Sequence, residues 1–489
     1  MTRSEPETAD FRSFLREEAY VGGRWIAAAD GGTIAVHNPA TGAVLGHVPD
    51  CGAAEVAEAV AAAKAAFPAW KARTAKDRAG VLRRLADLVE ASVEPLAALL
   101  TREQGKSLKE ARGEVAGSAA YLRWFAEEAQ RVYGDVIPSP WPDRRILVTR
   151  EPVGVVGAIT PWNFPSSMIA RKLAPALASG CTIVIKPSEL TPFSGLAWGA
   201  LAEEAGVPPG VVNVVTGAPV AIGEALTGHP DVAKITFTGS TRVGKILVAQ
   251  SARTLKRVSM ELGGNAPFIV FDDADLDRAV EGAMVAKYRN SGQTCVCANR
   301  FIVQSGIHDR FVERLVAAVE GLVVGDGLEA GTEQGPLING HAVDKVLHHI
   351  ADALGRGGAV AAGGRSHALG GTFFQPTVLT GVTAEAAVAR EETFGPLAPV
   401  FRFDTEAEAV ALANDTEYGL AAYFFTRDLA RAFRVAEALR CGMVGVNEGL
   451  ITTEVAPFGG VKQSGLGREG SRYGLDDYLD LKYVCLGGL

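Results

Sequence analysis

The chain has 489 residues, 48% of them hydrophobic, and a mean hydropathy of +0.13, so it can bury sizeable cores, on length about three domains, and is not a disordered polymer. Its formal net charge is -8, with basic residues scattered rather than clustered. That excludes nucleic acid as an electrostatically driven partner and leaves a small molecule.

The stretch MTRSEPETADFRSFLREEAY carries acids throughout and lacks the apolar segment that directs secretion, so a cytoplasmic protein is expected. From Asp50 to about Phe67, Val56, Val60, Ala63 and Phe67 fall on one face of a predicted helix, and a second helix is predicted from about Lys76 to Leu100. The longest uncharged run, Pro152 to Ala170, has the length of a membrane span. Pro161, Asn163, Pro165, Ser166 and Ser167 interrupt it, so it reads as a buried strand followed by a loop, and no membrane partner is expected.

Beyond residue 145 the pattern alternates. ILVTREPVGVVGAIT reads as a strand, Ser167 to Ser179 as a helix, TIVIK as a strand and Phe193 to Ala205 as a helix. VVNVVTG, KITFTG and RVSMELGG are further strands, separated by helices at Ala221 to Leu226 and Thr241 to Ala252. This succession predicts a parallel sheet with crossover helices, with ligands at the carboxyl ends of the strands. After MELGGNAPFIVFDDADLD a second alternating region runs to about Asn447 and predicts another α/β domain. The terminal YLDLKYVCL, with Leu479, Leu481, Tyr483 and Cys485 on one side, reads as a strand that completes a sheet, in this chain or in a partner subunit.

Several strand ends carry chemistry. KITFTGSTRVGK places Gly239 and Ser240 where a helix begins, so its open N–H groups suit a pyrophosphate; a plain strand-to-helix turn is the alternative. In IKPSELTPFS, Lys186 and Glu189 can hold ribose hydroxyls, or be ordinary surface charge. TPWNFP fixes Trp162 and Asn163 between prolines, where the asparagine amide can donate to an oxyanion or bond to local backbone. MELGGN sets Glu261 in an apolar context, suited to a general base on water.

SGQTCVCANR holds two of only six cysteines. Six in so long a chain are not a disulfide scaffold, and Cys295 and Cys297 lack a second Cys or His pair at zinc spacing, so no metal is expected. Gly292 and short polar residues keep Cys295 off a packed face, which favours a reactive thiol.

PWNFP, KPSE, FTGS, MELGG, GQTCVCANR and EETFGP occur in the order found in the aldehyde dehydrogenase superfamily, which this sequence resembles from about residue 20 onward. FRSFLREEAYVGG, GQTCVCANR, EVAPFGGVKQSGLGREGSRYGLDDYL and LKYVC are similar to its succinate-semialdehyde dehydrogenase branch. The resemblance implies two Rossmann-like parallel α/β domains plus a small β oligomerisation element. The NAD(P)-binding domain would comprise residues 1–136 and 154–260, the catalytic domain 261–449, and the oligomerisation element with the C-terminal strand 137–153 and 450–489.

It also implies oxidation of succinate semialdehyde in 4-aminobutyrate catabolism, with glutarate semialdehyde as the alternative substrate and a homotetramer as the working form. Cys295 would be the nucleophile, accessible as a thiolate near neutral pH, Asn163 and the Cys295 N–H the oxyanion donors, and Glu261 the base that activates water. Lys186, Ser188 and Glu189 would hold the adenosine ribose, Gly239 and Ser240 the pyrophosphate, and Glu392 the nicotinamide ribose. Trp162, Leu262 and Phe394 would flank a cofactor that is NAD by preference or NADP, since Glu189 repels a 2′-phosphate. Arg171, Arg289 and Thr452 would hold the substrate carboxylate, with Thr452 standing where serine is usual. Cys297 is either a small apolar support for the loop or a redox partner that links to Cys295 on mild oxidation.

Overall fold

The structure, a computed structural model, describes residues 10–489; the start of the acidic N-terminal stretch lies outside them. Five parallel strands lie side by side in the order Arg257–Glu261, Val232–Thr238, Val155–Ile159, Thr182–Lys186 and Val212–Val214. The chain lays down Val155–Ile159 first, builds outward to one side and then returns to build on the other. The order therefore reverses between Val155–Ile159 and Val232–Thr238, which opens a crevice at their carboxyl ends. Gly465–Leu466 closes one edge antiparallel, and the hairpin of Ala19–Val21 and Arg24–Ile26 closes the other.

Val155–Ile159 and Thr182–Lys186 are buried along their whole length because helices cover both faces of this sheet. Ala75–Ala91, Val93–Gln104, Leu108–Glu128, Ser167–Ser179 and Pro192–Glu204 pack on one face, and Ala53–Lys71, Pro219–Gly228 and Thr241–Ser251 on the other. In the second sheet Thr377–Thr380, Leu397–Phe403, Ala298–Gln304, Ala266–Val270, Ala421–Phe425 and Met443–Val446 run parallel in that order, with Ala359–Ala362 antiparallel at one edge. A third, antiparallel sheet pairs Leu479–Gly487 with Arg144–Pro152, and the latter with Asp135–Ile137. Among the described residues no helix is long and apolar enough to cross a membrane.

Three sequence expectations are corrected. The helix expected over Lys76 to Leu100 divides at Ser92 into Ala75–Ala91 and Val93–Gln104. Pro95 explains the break, since proline is tolerated in a first helical turn and not in a helix interior. The single strand expected from ILVTREPVGVVGAIT splits at Gly154, whose φ of 131° turns the chain from the third sheet into the first. Residues 450–478, grouped with the terminal strand by sequence, pack back on both domains: Ile451 and Phe458 join the core of the second sheet, while Gly465 pairs with Glu261 and Leu475 and Tyr478 join the core of the first. The terminal strand itself pairs within its own chain, yet its Leu481 and Tyr483 are 68% and 60% exposed.

Two of the crossover helices begin on buried carboxylates. Glu114 accepts from the Ser166 and Ser167 N–H groups at 2.9 and 3.1 Å, where Ser167–Ser179 starts. Glu103 accepts from Phe193 and Ser194 at 3.0 and 2.7 Å, where Pro192–Glu204 starts. A helix N-terminus buried in a sheet crossover needs such an acceptor, because its first N–H groups have none within the helix. Glu103→Ala is expected to destabilise the protein by about 2 to 4 kcal/mol, because it strands two buried donors. Glu103→Gln, which keeps an acceptor oxygen, should recover most of that loss in denaturant-unfolding midpoints.

Candidate active site

The chain passes from the carboxyl end of Arg257–Glu261 to the amino end of Ala266–Val270 through Gly263 and Gly264. A side chain at Gly264 has no room, and one at Gly263 would push the Glu392 carboxyl group aside. A Cβ on Gly263 would sit 2.7 Å from Glu392 Oε2, and one on Gly264 would sit 2.6 Å from the Cys295 carbonyl oxygen. The Gly264 N–H donates to Glu392 Oε1 at 3.0 Å. This crossing therefore gathers Glu261, Cys295 and Glu392 from three distant stretches of sequence.

The cysteine loop follows helix Leu276–Tyr288 through Asn290, Ser291 and Gly292, at φ of 52°, 56° and 74°. Glycine is required at the third of these, since a Cβ there would lie 2.1 Å from the Gly395 carbonyl oxygen. The Asn290 N–H donates to Glu110 at 2.7 Å, Ile338 N–H to Gln293 Oε1 at 2.9 Å, and Tyr423 Oη to the Val296 carbonyl at 2.8 Å. Asn163 is buried, and its Nδ2 donates to the Gln293 carbonyl at 3.0 Å. One hydrogen of that amide is thereby fixed on the cysteine loop, which leaves the other for a ligand.

The acidity expected of Cys295 is corrected. Its thiol is pushed up to about 12, chiefly by burial and then by the charge of Glu392, against the opposing pull of Arg171. The resting group is a protonated thiol near neutral pH, not a thiolate. Burial also holds Glu261 well above the usual carboxylate range, with Glu469 adding to the effect and Lys172 and Arg171 opposing it. Glu261 Oε2 has no hydrogen-bond partner. Glu392 is raised to about 7 by burial. Cys297 is buried and donates through Sγ to the Lys287 carbonyl at 3.4 Å, so its thiol is engaged with the preceding helix.

Arg171 is 4% exposed, and its Nε and Nη1 have no hydrogen-bond acceptor, although Glu469 Oε2 lies 3.8 Å from Nη1. Its guanidinium rests over Phe458 and Tyr121, 4.4 and 5.0 Å from the ring centroids. Arg289 is half-buried against Phe164 and lines a cavity with Thr294, Cys297 and Thr452.

The residues present fit a dinucleotide at the crevice of the first sheet. Of the helices that begin at its carboxyl edge, Ser167–Ser179 and Pro192–Glu204 already hold carboxylates. Thr241–Ser251 is capped only by Ser240 Oγ on the Val243 N–H, so its first turn stays open to a phosphate beside Gly239. Lys186 is buried and donates to Glu189 Oε2 at 2.8 Å, and Ser188 Oγ accepts from Leu190 N–H at 3.2 Å. Gly244 lets this helix close on Leu262, whose Cδ2 would lie 2.5 Å from a Cβ there. Trp162 and Phe394 meet edge to face at 5.5 Å, with Phe394 at φ 58°.

Some residues of the site escape sequence reasoning. Lys172 donates to Thr238 Oγ1 at 2.6 Å and to Glu469; the signal was a second cation beside Arg171 on an otherwise apolar helix, since buried charges need partners. Lys106, Glu114 and Asn290 carried no motif, because their partners lie on other elements.

Residues 25–484 match the aldehyde dehydrogenase family. Glutarate-semialdehyde dehydrogenase of Pseudomonas aeruginosa is 61% identical over 475 residues, 97% of this chain and 98% of the relative. The NADP-dependent succinate-semialdehyde dehydrogenase GabD of Escherichia coli is 58% identical over the same shares of both chains. The crystal structure of succinate-semialdehyde dehydrogenase from Burkholderia pseudomallei, 60% identical, superposes with a TM-score of 0.97 over 99% of this chain and 100% of that one. With its nucleophile-bearing loop, buried carboxylate and dinucleotide crevice assembled as above, this chain belongs to the aldehyde dehydrogenase family and is an NAD(P)-dependent oxidoreductase.

Proposed function

We propose that the protein oxidises succinate semialdehyde to succinate through a covalent intermediate on Cys295, with glutarate semialdehyde as a second substrate. The observation that carries this reading is Arg171, a buried guanidinium with two donors left without a hydrogen-bond acceptor, Glu469 lying 3.8 Å away. A guanidinium so placed is completed by a carboxylate, which it grips through paired N–H groups. Arg289 and Thr452, which line a cavity with Cys297 and not with Arg171, would give the same anion a second cation and a hydroxyl in this reading. One methylene changes discrimination by only about 1 to 3 kcal/mol, so both chain lengths are expected to react.

Cys295 Sγ attacks the aldehyde carbon, and its proton leaves to solvent. The oxyanion formed is held by the second N–H of Asn163 Nδ2 and by the Cys295 N–H. NAD(P)⁺, when bound, supplies the hydride acceptor and a positive ring that favours the thiolate. Glu261 then takes a proton from water, which attacks the thioester carbon and releases the acid with Cys295 restored. Lys186, Ser188 and Glu189 hold the adenosine ribose, Gly239 and Ser240 the pyrophosphate and Glu392 the nicotinamide ribose, with Trp162, Leu262 and Phe394 against the rings.

In this reading the cofactor unit spans residues 1–136 and 154–260 and the catalytic unit 261–449. Of residues 137–153 and 450–489, only the strands serve oligomerisation. The apolar face left open by Ile137, Leu481 and Tyr483 supports a homo-oligomer, and a tetramer is expected. A cytoplasmic setting, where thiols stay reduced, suits Cys295. Cys297, if it exchanged its bond to Lys287 for one to Cys295, would make inactivation by oxidant reversible.

Glu261→Gln is expected to keep the pre-steady-state burst of reduced cofactor while turnover falls at least about 100-fold; loss of the burst would remove Glu261 from a role confined to deacylation. Arg171→Ala or Arg289→Ala should raise KM for succinate semialdehyde about 10- to 100-fold and leave an uncharged aldehyde of similar length nearly unaffected. Equal losses on both substrates would make the arginines structural. NAD is the expected preference, because Glu189 accepts from a 2′-hydroxyl and repels a 2′-phosphate. Kinetics with both cofactors check this: Glu189→Ser should shift the ratio of kcat/KM toward NADP, and a wild type that favours NADP would refute it.

A further inference from the structure

Lys106 and Glu114 form an ion pair at 2.6 Å with side chains 0% and 1% exposed. Two charges taken this far from water are seldom a gain in stability, and an apolar pair of the same size would often serve as well. What this pair does have is geometry. Lys106 Nζ has three donors, and besides Glu114 Oε2 it meets the Asn163 carbonyl at 2.8 Å and the ring of Phe164 at 3.7 Å from its centroid. Glu114 Oε1 accepts from Ser166 and Ser167 N–H. The pair thus holds Asn163, Phe164, Ser166 and Ser167, and the last of these opens the helix that carries Arg171.

The Asn163 carbonyl also accepts from Asn290 Nδ2 at 2.9 Å. Its main chain is pinned between a cation from the covering helices and an amide from the cysteine loop. Phe164, which rests on Lys106, carries Arg289 as well, at 5.5 Å. A single hydrogen bond from a side-chain amide sets where its second N–H points only if the main chain from which that side chain springs is also held in place.

We propose that Lys106, with Glu114, is a positioning pair that fixes the Asn163 main chain and so aims its free amide N–H at the oxygen of the bound aldehyde. The inference rests on the reading of Asn163 as the oxyanion donor, and it concerns residues that touch neither substrate nor cofactor. A displacement of about 1 Å at such a donor costs up to about 100-fold in rate, whereas loss of the donor itself costs about 100- to 1000-fold.

The test is a single-turnover measurement of reduced nicotinamide, with enzyme in excess over succinate semialdehyde and at saturating NAD. With active enzyme also well above its Kd for the aldehyde, the first-order rate reports the competent enzyme and is not lowered by an inactive fraction. Asn163→Ala should slow it about 100- to 1000-fold, and Lys106→Met about 10- to 100-fold. A Lys106→Met rate within about twofold of wild type, with Asn163→Ala slowed, would overturn the positioning role while leaving the oxyanion reading intact. An unslowed Asn163→Ala would overturn both. Should Lys106→Met fail to fold, Lys106→Arg and Glu114→Gln are read instead. Each should slow hydride formation at least about threefold, because neither can reproduce the ammonium between carboxylate, carbonyl and ring; wild-type rates in both would overturn the proposal.

Discussion

The approach of Gly264 to the Cys295 carbonyl is the contact on which the active site depends. Because no side chain intervenes, the carboxyl ends of the first sheet and the amino ends of the second close on one small volume, and water is largely excluded from it. Exclusion of water sets the electrostatics. The thiol of Cys295 is driven up to about 12, Glu392 to about 7 and Glu261 well above the usual carboxylate range, each first by burial. Under the proposed mechanism such a thiol is inert at rest, and the positive charge that a bound cofactor brings would activate it.

A second constraint decides where anions can go. Helices starting at the carboxyl edge of a parallel sheet all present open N–H groups, and each is in principle an anion site. Here Glu114 and Glu103 occupy two of them from the covering helices. The helix after Gly239 is capped by a single hydroxyl at its own N-cap. The N-terminal helices, which carry no recognisable chemical motif, thereby close two of these places to a phosphate and hold the loop of Asn163 at the same time.

Local signals in the sequence were strong where one element decides the outcome. Ser167–Ser179 and Thr182–Lys186 have the boundaries their patterning predicts, because a largely apolar segment ends in each case at a turn residue, Gly180 and Pro187. Pro95 and Gly154 mark breaks that hydrophobic periodicity passes over, since both flanking segments continue the pattern while the backbone cannot. The gathering of Glu261, Cys295 and Asn163 followed from motif order, but the state of the thiol did not. Its loop is polar in sequence, and only the approach of residues from both sheets brings the thiol to its half-buried setting. Lys106 and Glu114 were illegible for the same reason, their partners being the main chain of a loop more than fifty positions away.

The claim that burial keeps the resting nucleophile protonated is tested most directly by alkylating the cofactor-free protein with iodoacetamide, a neutral reagent, and following the Cys295 peptide by mass spectrometry. The account predicts a rate that climbs about tenfold per pH unit from about pH 6 to about pH 10 without levelling, as expected of a thiol titrating near 12. A rate that levels near pH 7 would show a thiolate already formed, and would contradict it.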